Sequence, residues 1–175
     1  MHAENATQIE ARPPHVVSVR SLVEFVLQAG DLTPGGFQRR DRAQLGTQGH
    51  KRVQRSRPDG YESEVEISYQ VEGTDPPLMV QGRIDGVYTD QDPVIIEEIK
   101  TTTLSLDLVS EHHNPLHWAQ AQCYAYMYAR QSDLSEVSIQ LTYYHLDSQA
   151  EKTFVRYFTR VELEAFFCDL ITPYM

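Results

Sequence analysis

Two carboxylates and an amine, Asp85, Glu98 and Lys100, stand on neighbouring apolar stretches of the chain. These run from Gly82 to Tyr88 and from Pro93 to Thr103, with the polar turn Thr89-Asp90-Gln91-Asp92 between them. That order reads as a β-hairpin. Side chains alternate along a strand, so Val94, Ile96, Glu98 and Lys100 share one face while Ile95, Glu97 and Ile99 share the other. A carboxylate and an ammonium therefore sit side by side where a purely structural strand would carry another aliphatic residue. Asp85, on the partner strand, lies within reach of both. Such a group can hold a divalent cation and stabilise charge on a phosphate. Each feature alone has a plainer reading, Glu-x-Lys as a weak surface ion pair and Asp-Gly as a turn. Together they make a site candidate.

The elements that must position these residues are legible in order. Val16 to Ala29 has a helical period, with Ser18 or Ser21 to cap it and Gly30 to stop it. Thr33-Pro34-Gly35-Gly36 reads as a loop, and Asp41 to Gln54 as a second, polar helix that places Gly46, His50 and Gln54 on one face. Tyr61 to Glu72 alternates as a half-buried strand, and Leu78 to Tyr88 and Val94 to Thr102 complete an antiparallel meander. The irregular stretch Thr103 to His113 is placed to cover the site. Asn114-Pro115 starts a helix to about Arg130, on which His117, Gln120 and Tyr124 form one stripe. Val137 to Asp147 and Thr153 to Thr159 are further strands, and Thr159-Arg160-Val161-Glu162 is a capping box for a last helix to Leu170. A helix between the third and fourth strands allows a parallel crossover. The expected fold is therefore α/β, a mixed five-stranded sheet flanked by helices.

Composition narrows the class. With 175 residues, 41% hydrophobic and 23% charged, the chain suits one domain over residues 16–175, preceded by a flexible N-terminal tail at 1–15. No apolar run reaches the length of a membrane span and no signal-peptide core opens the sequence, so the expected location is cytoplasmic and no membrane partner is expected. Two cysteines, Cys123 and Cys168, cannot supply the four thiolates of an iron–sulfur cluster. The net charge of −10 is unlike a generic nucleic-acid coat. Within that acidic chain, however, Arg39, Arg40, Arg42, Lys51, Arg52, Arg55 and Arg57 fall between Phe37 and Arg57 against one acid, Asp41. That segment is either a solvated helix face or a polyanion contact.

Four motifs in this order resemble a known family. Gly46-Thr47-Gln48-Gly49-His50 lies on the early helix, Gly82-Arg83-Ile84-Asp85 on the second strand, Glu98-Ile99-Lys100 on the third, and Gln120-Ala121-Gln122-Cys123-Tyr124 on the next helix. Together they resemble the PD-(D/E)XK nucleases of the RecB-like branch over about residues 16 to 171. Ser18 to Phe25, Glu98 to Thr103 and Asn114 to Gln120 are similar, more narrowly, to nuclease domains fused ahead of bacterial XPD/DinG-like helicases. Ile84 stands where the family name writes proline, and no Gly-x-x-x-x-Gly-Lys-Ser/Thr occurs. Gln122 and Tyr126 share the Gln-x-x-x-Tyr spacing, but Gln120 and Tyr124 follow His117 as in relatives.

The resemblance implies a restriction-endonuclease-like fold and a metal-dependent deoxyribonuclease acting on single-stranded DNA or DNA ends in repair or recombination. It implies Mg²⁺ or Mn²⁺ held by His50, Asp85, Glu98 and the Ile99 carbonyl. Lys100 would act on the attacking water or the transition-state charge, with Gln120 and Tyr124 positioning the strand or Lys100. Arg39, Arg40, Arg42, Lys51, Arg52 and Arg55 would hold the DNA backbone, and a helicase would be a partner in cis or in trans. The competing expectation is a catalytically silent DNA-binding module that supports a helicase.

Overall fold

The computed structural model describes residues 12–28 and 40–175. Ala29, Gly30, the Thr33–Gly36 loop and Arg39 lie outside the described residues. The elements are β1 (His15–Ser18), α1 (Val19–Gln28), α2 (Arg40–Arg55), β2 (Tyr61–Val71), β3 (Leu78–Tyr88), β4 (Ile95–Thr102), α3 (Pro115–Gln131), β5 (Glu136–His145), β6 (Glu151–Thr159) and α4 (Arg160–Ile171). The architecture is a mixed α/β sheet flanked by four helices, as expected of a restriction-endonuclease-like fold.

The sheet has six strands, not five. The extra one is β1, which pairs in parallel with Leu78–Gln81 of β3. The first helix accordingly begins at Val19 rather than Val16. Two β-branched residues, Val16 and Val17, precede Ser18, whose Oγ accepts from the Ser21 amide at 3.0 Å and so starts the helix there. β2 pairs antiparallel along β3 except at Asp85, whereas β1 and β4 divide its other edge: β1 takes 78–81 and β4 takes Gly86–Tyr88. Between them, from Gly82 to Asp85, that edge of β3 has no strand partner among the described residues. β4 leaves β3 after Glu97 and continues only against β5, with which it is parallel; β6 closes the sheet antiparallel to β5.

The helices lie on opposite faces of this sheet. On β4, Thr101 meets Gly49 of α2 and Ile99 clusters with Val53 of α2, while Lys100, between them, reaches Gln120 of α3. α1, α3 and α4 cover the α3 side around a core that includes Leu22, Ile84, Ile96, Met127, Ile139, Leu141 and Leu163. A Cβ at Gly49 would stand 2.7 Å from Thr101 Cγ2, whereas one at Gly46 would find only an ordinary contact. Gly49 is therefore what lets α2 lie close to β4. The segment between β4 and α3 is pinned by Lys152, which donates to the Leu106 and Val109 carbonyls at 3.0 and 2.8 Å, and by Trp118, which donates to the Glu111 carbonyl at 2.8 Å.

The β2–β3 hairpin changes faces part-way. Tyr69 packs its ring on Tyr126 and Phe167, on the α3 side. Tyr61, an even number of residues away on the same strand, instead donates to Glu97 on the α2 side. Regular alternation forbids this. The reversal falls at Glu64, whose φ of +57° is left-handed, opposite Asp85; the ladder is intact on both sides at Ser63↔Gly86 and Val65↔Ile84.

Candidate active site

The gap between β3 and β4 is where the motif residues meet. Asp85, at the end of the unpartnered edge of β3, turns its carboxylate across the gap, and its Oδ2 accepts the Ile99 amide at 2.7 Å. The side chain thus supplies the acceptor that β3 backbone would have provided had the ladder continued. From the α2 side, His50 Nδ1 lies 3.3 Å from Asp85 Oδ1. From the α3 side, Lys100 Nζ lies 2.7 Å from Glu98 Oε1 and donates to Gln120 Oε1, also at 2.7 Å. Tyr124, one turn on from Gln120, sits over Gly82: a Cβ there would be 2.6 Å from its hydroxyl and would force the ring to move. Tyr126, the alternative by spacing, is buried against Phe167 and belongs to the core.

Two groups at the gap are shifted from their ordinary pKa values. Burial pushes the Glu98 carboxyl up to about 7, against the pull of Lys100, and the charge of Asp85 adds to the push. For His50, burial opposes protonation, but the hydrogen bond and charge of Asp85, with Glu98 behind it, hold the imidazole above its ordinary range. Behind Lys100, His117 Nδ1 lies 2.8 Å from the Tyr143 hydroxyl. Burial, with Lys100 and His113 adding, lowers His117 to about 3, so it is neutral; burial and then Glu98 push Tyr143 up to about 12.

The cationic segment divides. Lys51, Arg52 and Arg55 line a groove of about 710 Å³ between α2 and the β5–β6 turn, together with Gln48, Tyr144, Asp147 and Gln149. Arg40 and Arg42 fall in the first turn of α2. Arg57 does not belong with them. It is folded inward onto Glu97, with Nη2 at 2.6 Å and Nε at 3.1 Å, and onto Glu151 at 3.0 Å, which leaves its side chain 12% exposed.

A family model matches residues 9–170 of the chain, that of the PD-(D/E)XK nuclease superfamily. The chain belongs to the PD-(D/E)XK nuclease superfamily. No curated protein matches it. Among solved structures, the crystal structure of SSO0001 is similar, with a TM-score of 0.53 at 20% identity over 92% of this chain and 77% of that one. At that identity the likeness speaks for the fold alone. Membership in this superfamily suggests nuclease activity, phosphodiester hydrolysis and a divalent metal ion.

The donors in this PD-(D/E)XK chain fit such an ion chemically. Two carboxylates face one gap, and one of them is buried at the cost of a raised pKa that a nearby cation would relieve. As they stand, Asp85 is turned to His50 and Ile99 and Glu98 to Lys100. Among the described residues, no three His, Cys, Asp or Glu side chains are drawn together around one point. An ion would therefore join Lys100 as counter-charge to the two carboxylates. No described helix is long and apolar enough to cross a membrane.

Several residues of the gap were not singled out by sequence reasoning. Helical spacing puts Gln54 only on the His50 face of α2, yet its amide donates to the Asp85 carbonyl at 2.8 Å and to Glu64 Oε1 at 2.7 Å. Alternation puts Glu97 with Ile95 and Ile99 on the other face of its strand, and marks Tyr143 only as a strand residue. The signal that could have raised Glu97 is the tandem Glu97-Glu98 within an apolar run: with opposite faces both covered, neither acid can be a solvated side chain.

Proposed function

We propose that this chain is a Mg²⁺- or Mn²⁺-dependent deoxyribonuclease of the RecB-like branch that acts on single-stranded DNA or DNA ends in repair or recombination. It works in the cytoplasm with a helicase in cis or in trans, like the nuclease domains found ahead of bacterial XPD/DinG-like helicases. The observation that carries the reading is the Asp85 carboxylate bridging to the Ile99 amide across the β3–β4 gap. That bond brings the acid of one strand to the Glu98–Lys100 pair of the other.

Asp85, Glu98 and the Ile99 carbonyl would hold the ion, with His50 completing the set. The Ile99 amide faces β3, and strand geometry turns the carbonyl of the same residue to that edge too. When bound, the ion would lower the pKa of a water and neutralise charge on the scissile phosphate. Lys100, fixed between Glu98 and Gln120, would orient the attacking water or offset charge in the transition state. Tyr124, seated over Gly82, would line the path of the strand. Lys51, Arg52 and Arg55 carry no carboxylate partner among the described residues, and in a chain of net charge −10 such a groove is suited to a phosphate backbone. Arg39, Arg40 and Arg42 would extend that contact.

The test is cleavage of 5′- and 3′-labelled single strands and of circular DNA by purified protein with Mn²⁺. Cutting should be lost in Asp85→Ala and Lys100→Ala. Undiminished cutting by both variants would overturn the reading. Calorimetric Mn²⁺ titration separates it from the silent helicase-supporting module, which would bind no metal up to millimolar concentration.

A further inference from the structure

The structure assigns to Gln54 the part of a positioning residue that aims the Asp85 carboxylate across the β3–β4 gap. At Asp85 the β2–β3 ladder is interrupted, because Glu64 opposite it is left-handed with φ +57° while the pairs on either side are intact. The strand that carries the acid is therefore unsupported at the residue whose direction matters most. Gln54 repairs the interruption with one amide group, whose Nε2 donates to the Asp85 carbonyl at 2.8 Å and to Glu64 Oε1 at 2.7 Å. Glu64 is itself held from the other side by Arg83, at 2.9 Å.

Gln54 lies one helical turn beyond His50, so α2 grips Asp85 at two points, the carboxylate through His50 and the backbone through Gln54. A left-handed non-glycine residue persists only where its surroundings hold it, and such positions gather at functional sites. Gln54 is the neighbour that satisfies both halves of this one. Only the amide can do so, since a carboxylate of the same shape has no hydrogen to give the Asp85 carbonyl and would repel Glu64.

The inference rests on the metal-site reading for its consequence but not for its geometry, so two measurements keep the failures apart. The first needs no metal: amide hydrogen exchange by NMR at Ile99, whose N–H is held by Asp85 Oδ2. Gln54→Ala and Gln54→Glu should speed exchange there at least about tenfold, with Leu141 in the core of β5 unchanged and Glu64→Gln close to the parent. The second is Mn²⁺ calorimetry, in which the same two variants should lose about 10- to 100-fold in affinity and Asp85→Ala all of it. Ile99 exchange unchanged in Gln54→Ala would overturn the positioning role. So would exchange that rises equally at Leu141, which is the mark of general destabilisation. Faster Ile99 exchange in the Gln54 variants, with a parent protein that binds no Mn²⁺, would keep the positioning role and sink the metal-site reading instead.

Discussion

Removing the Arg57 guanidinium while keeping its bulk, as in Arg57→Met, should cost far more than a surface ion pair. Glu97 has no exposed surface and accepts both Arg57 Nη2 and Nε. Stripping one partner from a buried charge pair costs about 3–5 kcal/mol, because the remaining charge is left in a low dielectric. Three neutral donors would stay on Glu97: the Tyr61 hydroxyl at 2.7 Å, Gln140 Nε2 at 3.0 Å and the Thr142 hydroxyl at 2.5 Å. They hold the expected loss near the lower end, about 3 kcal/mol, which for a chain of this size is roughly 6–12 °C in midpoint. Urea unfolding followed by the fluorescence of Trp118, the single tryptophan, measures it.

The decisive arm is a double-mutant cycle with Glu97→Gln. Arg57→Met/Glu97→Gln removes both charges, so the losses of the single variants should exceed that of the double by about 2 kcal/mol. Losses that add within about 0.5 kcal/mol, or an Arg57→Met protein within about 0.5 kcal/mol of the parent, would refute the claim that this pair staples the end of α2 to β4.

Three further outcomes follow from the same geometry. Gly82→Ala should destabilise by about 1–3 kcal/mol through overpacking against Tyr124, whose hydroxyl would lie 2.6 Å from the new Cβ; Tyr124→Phe in the same chain should restore part of the loss in a thermal melt. His117 is neutral in the fold with its pKa lowered from 6.5 to about 3, so below about 6.5 the unfolded chain takes up a proton that the folded chain refuses. Its contribution is complete above that pH and is lost as pH falls toward 3, by up to a few kcal/mol on the order of magnitude, so His117→Gln should flatten melting temperature against pH in that window. Replacing Lys51, Arg52 and Arg55 with Gln should weaken single-stranded DNA binding regardless of sequence and reduce the slope of log affinity against log salt by about 0.7 per lost contact; an unchanged slope would remove the groove from the DNA path.

Most of the fold could be read from sequence because burial on one side imposes a period. β3 falls at Leu78–Tyr88 as alternation predicts, α3 is capped by Asn114 with Pro115 at its first position, and α4 by the Thr159–Glu162 box. β1 escaped because its four residues have no period of their own: they are a strand only through pairing with Leu78–Gln81, and β-propensity depends on such a partner. The motif residues were legible for the opposite reason. A carboxylate or an amine continuing an aliphatic face is a local anomaly that needs no partner to be seen.

The face reversal at Glu64 could not be seen that way. Val65, Ile67, Tyr69 and Val71 against Glu62, Glu64 and Glu66 alternate without a break, and the left-handed residue is an ordinary glutamate in that pattern. The groups that meet its side chain lie elsewhere in the chain, a glutamine on α2 and an arginine on β3, one on each carboxylate oxygen. The reversal lets Tyr61 and Tyr69 serve opposite sides of the sheet, and β4 does the same with adjacent acids. Glu97 is buried toward α2 and saturated by Arg57, Tyr61, Gln140 and Thr142, whereas Glu98, one residue on, is buried toward α3 with one cation beside it and a pKa near 7. Five donated hydrogens fix the first as structure. The second has one cation beside it and a raised pKa, and that difference between neighbours, not the acidity of either, is what makes Glu98 rather than Glu97 the candidate for a metal ion.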